Sequence, residues 1–148
     1  VKYRSTKTYG HEIGLSAVFR QWRAASHCRL LHGYALAVHL EFEASSLDGQ
    51  NWVVDFGSLK PIKQWLQETF DHKLLVAQDD PELPFLRSLA AIGLADVVVV
   101  PATGCEAFAA QIYGHVAGWL REIGQAPRVR LAEVHVREHG ANAAKLVA

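Results

Sequence analysis

The chain has 148 residues, half of them apolar and a fifth charged, and its 15 basic and 15 acidic side chains leave a formal net charge of zero. That size and balance describe a single domain, residues 1–148, with no charged footprint for nucleic acid or an anionic membrane. The longest apolar run, around "GLADVVVVPA", is far below the ~20 residues of a membrane span. The opening "VKYRSTKTYGHE" lacks the apolar middle of a signal peptide, and the two cysteines are too few for a disulfide framework, so a reduced, cytoplasmic protein is expected.

In chain order, residues 11–22 put Ile13, Leu15, Ala17 and Phe19 at alternate positions, the pattern of a half-buried strand. Residues 34–44 repeat it more clearly, with Leu36, Val38, Leu40 and Phe42 on one face and Ala35, Ala37, His39, Glu41 and Glu43 on the other. The Asp-Gly turn signal in "SSLDGQN" leads into "WVVDF", which predicts a hairpin over 34–56. Leu59, Ile62, Trp65, Leu66 and Phe70 follow helical spacing over about 58–70, with Pro61 in the first turn, where it is tolerated. A short helix at 84–93 and the β-branched run "DVVVV" come next. The second long helix, 103–124, has a buried stripe of Phe108, Ile112, Val116, Trp119, Leu120 and Ile123 and ends at Gly124. A strand over 128–139 closes the pattern. Long helices returning to antiparallel strands predict an α+β fold with the helices on one face of the sheet, and exposed sheet edges favour oligomerisation.

The segment "HCRLLHGY" concentrates reactive side chains. His27 and Arg29 flank Cys28 and would lower its pKa, as a base or nucleophile requires; burial as a small hydrophobe is the other reading. His32 begins a strand beside Gly33, where no side chain blocks close approach, and neutral imidazole is a common zinc ligand, although a lone histidine is more often a structural residue. His27 is a candidate companion, but neighbours on an extended chain point apart, so His27 and Cys28 would not both face one metal. Asp71 and His72 follow the first long helix: a carboxylate there can set the tautomer of the imidazole, or the helix dipole alone can favour the histidine. "TGCE" at 103–106 matches a capping box, which accounts for Glu106 structurally. Glu138 continues the face of Ala132, Val134 and Val136. It is either the exposed end of that row or a carboxylate aimed at paired N–H donors, such as the amidine-like edge of guanine or a pterin.

"CRLLHGYALAVHLEFEA", "WVVDFGSLK", "FDHKLLV", "CEAFAAQIYGHV" and "VHVREH" together resemble the 6-pyruvoyl-tetrahydropterin synthase family, which includes the bacterial 6-carboxytetrahydropterin synthases of queuosine biosynthesis. The resemblance covers about residues 10–140 and rests on the combination of C-x3-HG, DF-x3-K and DH-x-x-L. It implies a T-fold, an antiparallel four-stranded sheet with two main helices on one face, assembled through trimers into a homo-hexameric barrel. It also implies 7,8-dihydroneopterin triphosphate as substrate and zinc held by three histidines. Carried over by position, Cys28 matches the catalytic cysteine, Asp71 and His72 the proton-transfer pair, Glu138 the pterin anchor, and Glu106 a glutamate at the start of the second helix. Of the zinc ligands, His32 is present, the first falls on Arg23 or, with a shorter loop, on His27, and Tyr34 occupies the third. His11 or Cys28 would be substitute donors, and the segment 77–103 is longer than the family usually carries. The leading expectation is a pterin-pocket lyase with an altered metal site. The competing one is a diverged protein of the same fold that binds a pterin or purine through Glu138 without turnover.

Overall fold

The computed structural model describes residues 1–148. Strands β1 (Tyr3–Tyr9), β2 (Leu15–Phe19), β3 (His32–Ala44), β4 (Lys73–Ala77), β5 (Val97–Val100), β6 (Val129–His139) and β7 (Asn142–Val147) form one sheet, and the helices are α1 (Lys60–Phe70), α2 (Leu83–Ala91) and α3 (Cys105–Glu122). The strand order is β5-β4-β2-β3-β6-β7, with β1 also paired to β3. The expected α+β fold is present, and so is its central row: Leu36, Val38, Leu40 and Phe42 of β3 are buried against Phe108, Ile112, Val116 and Leu120 of α3 and Ile62, Leu66 and Phe70 of α1. No helix is long and apolar enough to cross a membrane.

The sheet is larger and less uniform than four antiparallel strands. β2 pairs with β4, and β4 with β5, in parallel, which requires long crossovers; residues 78–96 supply one and carry α2. Alternation on β4 sends Leu75 into the main core, whereas Leu74 and Val76 pack with Leu86 of α2 in a separate cluster. A third helix therefore covers the opposite face at this end, an addition built from the long 77–103 segment. Arg20 anchors it: its guanidinium donates to both oxygens of buried Asp80 at 2.8 and 2.7 Å, and Asp80 in turn accepts from the Glu82 amide at 2.9 Å.

The hairpin expected over 34–56 does not form. Asp48 makes the turn, accepting from the Gln50 and Trp52 amides at 2.8 and 3.0 Å, but 52–56 does not return as a strand. Val53 and Val54 plug the core instead. The carbonyls a strand partner would have satisfied are met by Arg128, which donates to those of Ser46, Trp52 and Val53 at 3.1, 3.4 and 2.8 Å. The strand expected over 11–22 is shorter, because Gly14 adopts φ 76° after a single 3₁₀ turn, His11–Ile13.

The face of β3 away from the helices is charged. Glu43 is only 4% exposed, yet it accepts from Lys2, Arg4 and Arg130 at 2.7–3.1 Å. Hydrogen bonds from Lys2 and then Arg130 hold its carboxyl at about 2, against an ordinary 4.5. Because the folded value is depressed, the contribution to stability is present above pH 4.5 and is lost as pH falls toward 2. Urea midpoints measured down that window should fall steeply for the native chain and less steeply for Glu43→Gln. Parallel acid limbs would show that these ion pairs contribute nothing.

Candidate active site

The core row of β6 ends at Glu138, half-buried where the strand runs out toward β7. It lines a cavity of about 230 Å³ together with Gln21, Cys105, Glu106, Asn142 and Ala144. α3 begins at this cavity. Its N-cap is Gly104, at φ 110°, a conformation that favours glycine, and it packs against the Gln21 amide. The expected capping box is absent: the N-cap residue provides no side-chain bond, and Thr103 Oγ1 donates to the Arg20 carbonyl at 2.7 Å. Glu106 is consequently exposed in the first turn and faces the cavity, where the positive end of the helix favours a carboxylate.

Cys105 and Tyr34 adjoin Glu138, and Cys28 lies near Tyr34. Burial first, then the charges of Glu138 and Glu106, push the Cys105 thiol up to about 12, so it stays protonated. Burial, then Glu138, raises the Tyr34 phenol, with smaller contributions from Cys28 and Cys105. Tyr34 therefore meets the carboxylate as a neutral donor. Cys28 sits half-buried on a 3₁₀ turn, His27–Arg29, whose backbone is fixed by Gln21 N donating to Cys28 O at 2.9 Å. This bond ties the cysteine turn to the amide side chain that lines the Glu138 cavity. At Gly33 the close approach is made by the neighbouring strand rather than by a ligand, since a Cβ there would lie 2.9 Å from the Ala17 carbonyl across β2 and β3.

Asp71 and His72 form the expected dyad. Asp71 Oδ1 lies 2.8 Å from His72 Nδ1 and accepts from the Ser16 amide at 3.2 Å, and the His72 amide donates to the Ser16 carbonyl at 2.6 Å. With Nδ1–H on the carboxylate, the Nε2 lone pair is available as a base. His72 is held at φ 56°, rare for a residue with a side chain, and its side chain is 85% exposed. It lines a groove of about 370 Å³ with Ser16, Val18, Leu31, Leu89 and Leu94. Ser16 and Val18 alternate with the buried Leu15, Ala17 and Phe19, so the groove is on the face opposite the core row that ends at Glu138. Within one chain the sheet separates the Asp71–His72 dyad from the cavity.

The donors near "HCRLLHGY" do not gather into a metal site. His27 is exposed on its turn. His32 packs on Phe19 and Tyr34, at ring distances of 5.3 and 5.4 Å, and gives its Nδ1–H to the Leu30 carbonyl at 2.7 Å. Tyr34 is held protonated, a poor state for a ligand. Arg23 is turned to Asp79 at 2.7 Å, and His11 contacts the Ala35 carbonyl while lining a groove with His39 and His135 on the charged face. The one set of three ionisable donors within 4.8 Å is Glu41, Glu133 and His135. Gln21, Cys105 and Asn142 were not singled out by the sequence reading. Asn142 belongs to β7, whose short, exposed alternation gives little signal, and Gln21 is placed by the tertiary contact with Gly104.

The 6-pyruvoyl tetrahydropterin synthase family model matches residues 10–147. The 6-carboxy-5,6,7,8-tetrahydropterin synthase of Aquifex aeolicus is 26% identical over 149 aligned positions, covering 90% of this chain and 91% of that protein. The enzyme of the same name from Rickettsia felis is 39% identical over 57 residues, but this match spans only 38% of this chain and 41% of the relative. Among solved structures, a Wolinella succinogenes protein superposes with a TM-score of 0.83 at 20% identity over 99% of this chain and 98% of that one. A catalytic-residue variant of Plasmodium vivax 6-pyruvoyltetrahydropterin synthase superposes with a TM-score of 0.66 at 17% identity, covering 99% of this chain and 97% of its own. At these identities the structural likenesses establish the fold, whereas the family model extends across nearly the whole sequence, cavity and dyad included. The chain belongs to the 6-pyruvoyl tetrahydropterin synthase family.

Proposed function

We propose that the protein is a pterin-pocket lyase of the 6-carboxytetrahydropterin synthase type that acts on 7,8-dihydroneopterin triphosphate. The observation that carries this reading is Glu138, a carboxylate at the end of an otherwise apolar row, lining a cavity beside the α3 N-terminus. A carboxylate so placed accepts two parallel N–H bonds from the amino-pyrimidine edge of a pterin, with the neutral Tyr34 phenol beside it. Cys28 and, delivered by a neighbouring copy, an Asp71–His72 pair then move protons at the side-chain carbons being rearranged, and triphosphate or a side-chain fragment leaves. Glu106 extends the binding surface at the cavity rim. His32, with its Nδ1–H on the Leu30 carbonyl, keeps Nε2 free for a zinc ion. His27, however, is exposed on its turn and Tyr34 is held protonated, so the donor set is incomplete and no step is assigned to zinc. The family resemblance implies a cytoplasmic hexamer built from trimers, and the open edges of β5 and β7 are compatible with self-association.

Replacing Glu138 by glutamine tests the anchor without changing its size. Pterin binding measured by fluorescence titration should weaken by about 1.5–3 kcal/mol, roughly 10- to 150-fold, the cost of losing hydrogen bonds to a charged group. Unchanged affinity would remove Glu138 from the site. The second reading, a pterin or purine binder without turnover, draws on Tyr34 at a family ligand position, and it makes the same prediction for Glu138.

A further inference from the structure

A second constellation lies on the opposite face of β3 from His32 and Tyr34. Across the β3–β6 register, Glu41 pairs with Glu133 and His39 with His135. Two carboxylates placed directly opposite repel, so this position needs a cation. The register shifts between Glu41 and Phe42, a bulge of the kind that re-aims side chains. Ligand atoms of Glu41, Glu133 and His135 all lie within 4.8 Å of one another. His39 stands beside them, with Nε2 3.6 Å from Glu41 Oε1 and its ring 4.9 Å from that of His135. Thr8 Oγ1 contacts His39 Nδ1 at 2.7 Å. With the proton on Nδ1, this contact leaves the Nε2 lone pair turned toward Glu41, as an oriented metal-ligating imidazole requires.

The charge now between the carboxylates is a guanidinium. Arg4 Nη1 reaches Glu41 at 3.0 Å and Glu133 at 3.5 Å, while its Nη2 holds Glu43 at 3.1 Å. Arg4 is 46% exposed, so it can release the first two contacts and keep the third. Glu133 also accepts from His135 at 2.9 Å and Lys145 at 3.1 Å, and the 51% exposed Lys145 can likewise move out.

We propose that His39, Glu41, Glu133 and His135 form a divalent transition-metal site for which Arg4 is the built-in competitor. Two imidazoles and two carboxylates suit zinc and disfavour magnesium, which prefers oxygen donors alone. The site is separate from the pterin cavity and does not depend on the function proposed for that cavity.

Zinc titrated calorimetrically into chelator-stripped protein tests the assignment. One equivalent should bind, and it should persist in His32→Ala. It should weaken by about 100-fold or more in Glu133→Gln and in His39→Ala/His135→Ala, since even partners of ligands are worth 10–100-fold. Arg4→Met should tighten binding about tenfold by removing the competing charge, a gain that misfolding cannot mimic. Absence of saturable zinc, binding undiminished in the double-histidine variant, or an Arg4→Met affinity no tighter than the native one would each overturn the site.

Discussion

Cys28→Ala should lower turnover of 7,8-dihydroneopterin triphosphate by about 10²–10⁴-fold, the range of a lost acid–base group, while pterin affinity stays within a factor of about two. The separation follows from how Cys28 is held. Its carbonyl accepts from the Gln21 amide, and Ser26 Oγ accepts from its own amide at 3.4 Å, so the turn is fixed through the backbone to Gln21, which lines the cavity. Removing the sulfur leaves that frame intact, along with Glu138, Glu106 and Tyr34. Stopped-flow turnover and equilibrium binding measured on the same preparation separate the two proposed functions. Loss of turnover with retained affinity supports the lyase. Native protein that binds a pterin without converting it supports the binder, and undiminished turnover in Cys28→Ala takes the cysteine out of the mechanism.

What could be read from the sequence was what local periodicity encodes. The even-numbered row of β3, the buried stripe of α1, most of that of α3, and Glu138 as the end of a strand face survive in the structure. Ile123, expected in the α3 stripe, lies past the helix end at Glu122 and is exposed. β1 was missed because "YRSTKTY" has no apolar alternation; its partner is the acidic side of β3, and ion pairs with Glu41 and Glu43 help hold it. β4 was missed because its buried residues, Leu74 to Ala77, face two different clusters and show no period. The false strand at 52–56 and the false capping box at 103–106 share a cause. A distant group decides each: Arg128 satisfies the carbonyls of the first, and the Arg20 carbonyl takes the Thr103 hydroxyl that the second would have used. For the site, Cys28 and the Asp71–His72 pair are short motifs visible in one dimension. Which face of the sheet each occupies depends on strand pairing, which local motifs do not carry.

That facial separation generates the second large effect. If catalysis needs both Cys28, tied through Gln21 to the Glu138 cavity, and His72 on the opposite face, one chain cannot bring them together without unpairing β2 from β3, whose five-residue register is anchored by the close approach at Gly33. A neighbouring copy must then deliver the dyad, and the apolar groove around His72, with Val18, Leu31 and Leu94 exposed, is a surface such a copy would cover. Cys28→Ala and His72→Ala should each be nearly inactive alone. Unfolded together and refolded as a 1:1 mixture, they should recover about a quarter of native turnover, because random assembly leaves that share of shared sites with both residues native. Mixing the intact assemblies without refolding should restore much less, at a rate set by subunit exchange. No recovery after co-refolding, with each variant alone shown to assemble, would place Cys28 and His72 in one chain's site and require β2 to move. Recovery near a quarter would make the assembly itself part of the active site, with the half-covered sheet supplying one catalytic element on each face.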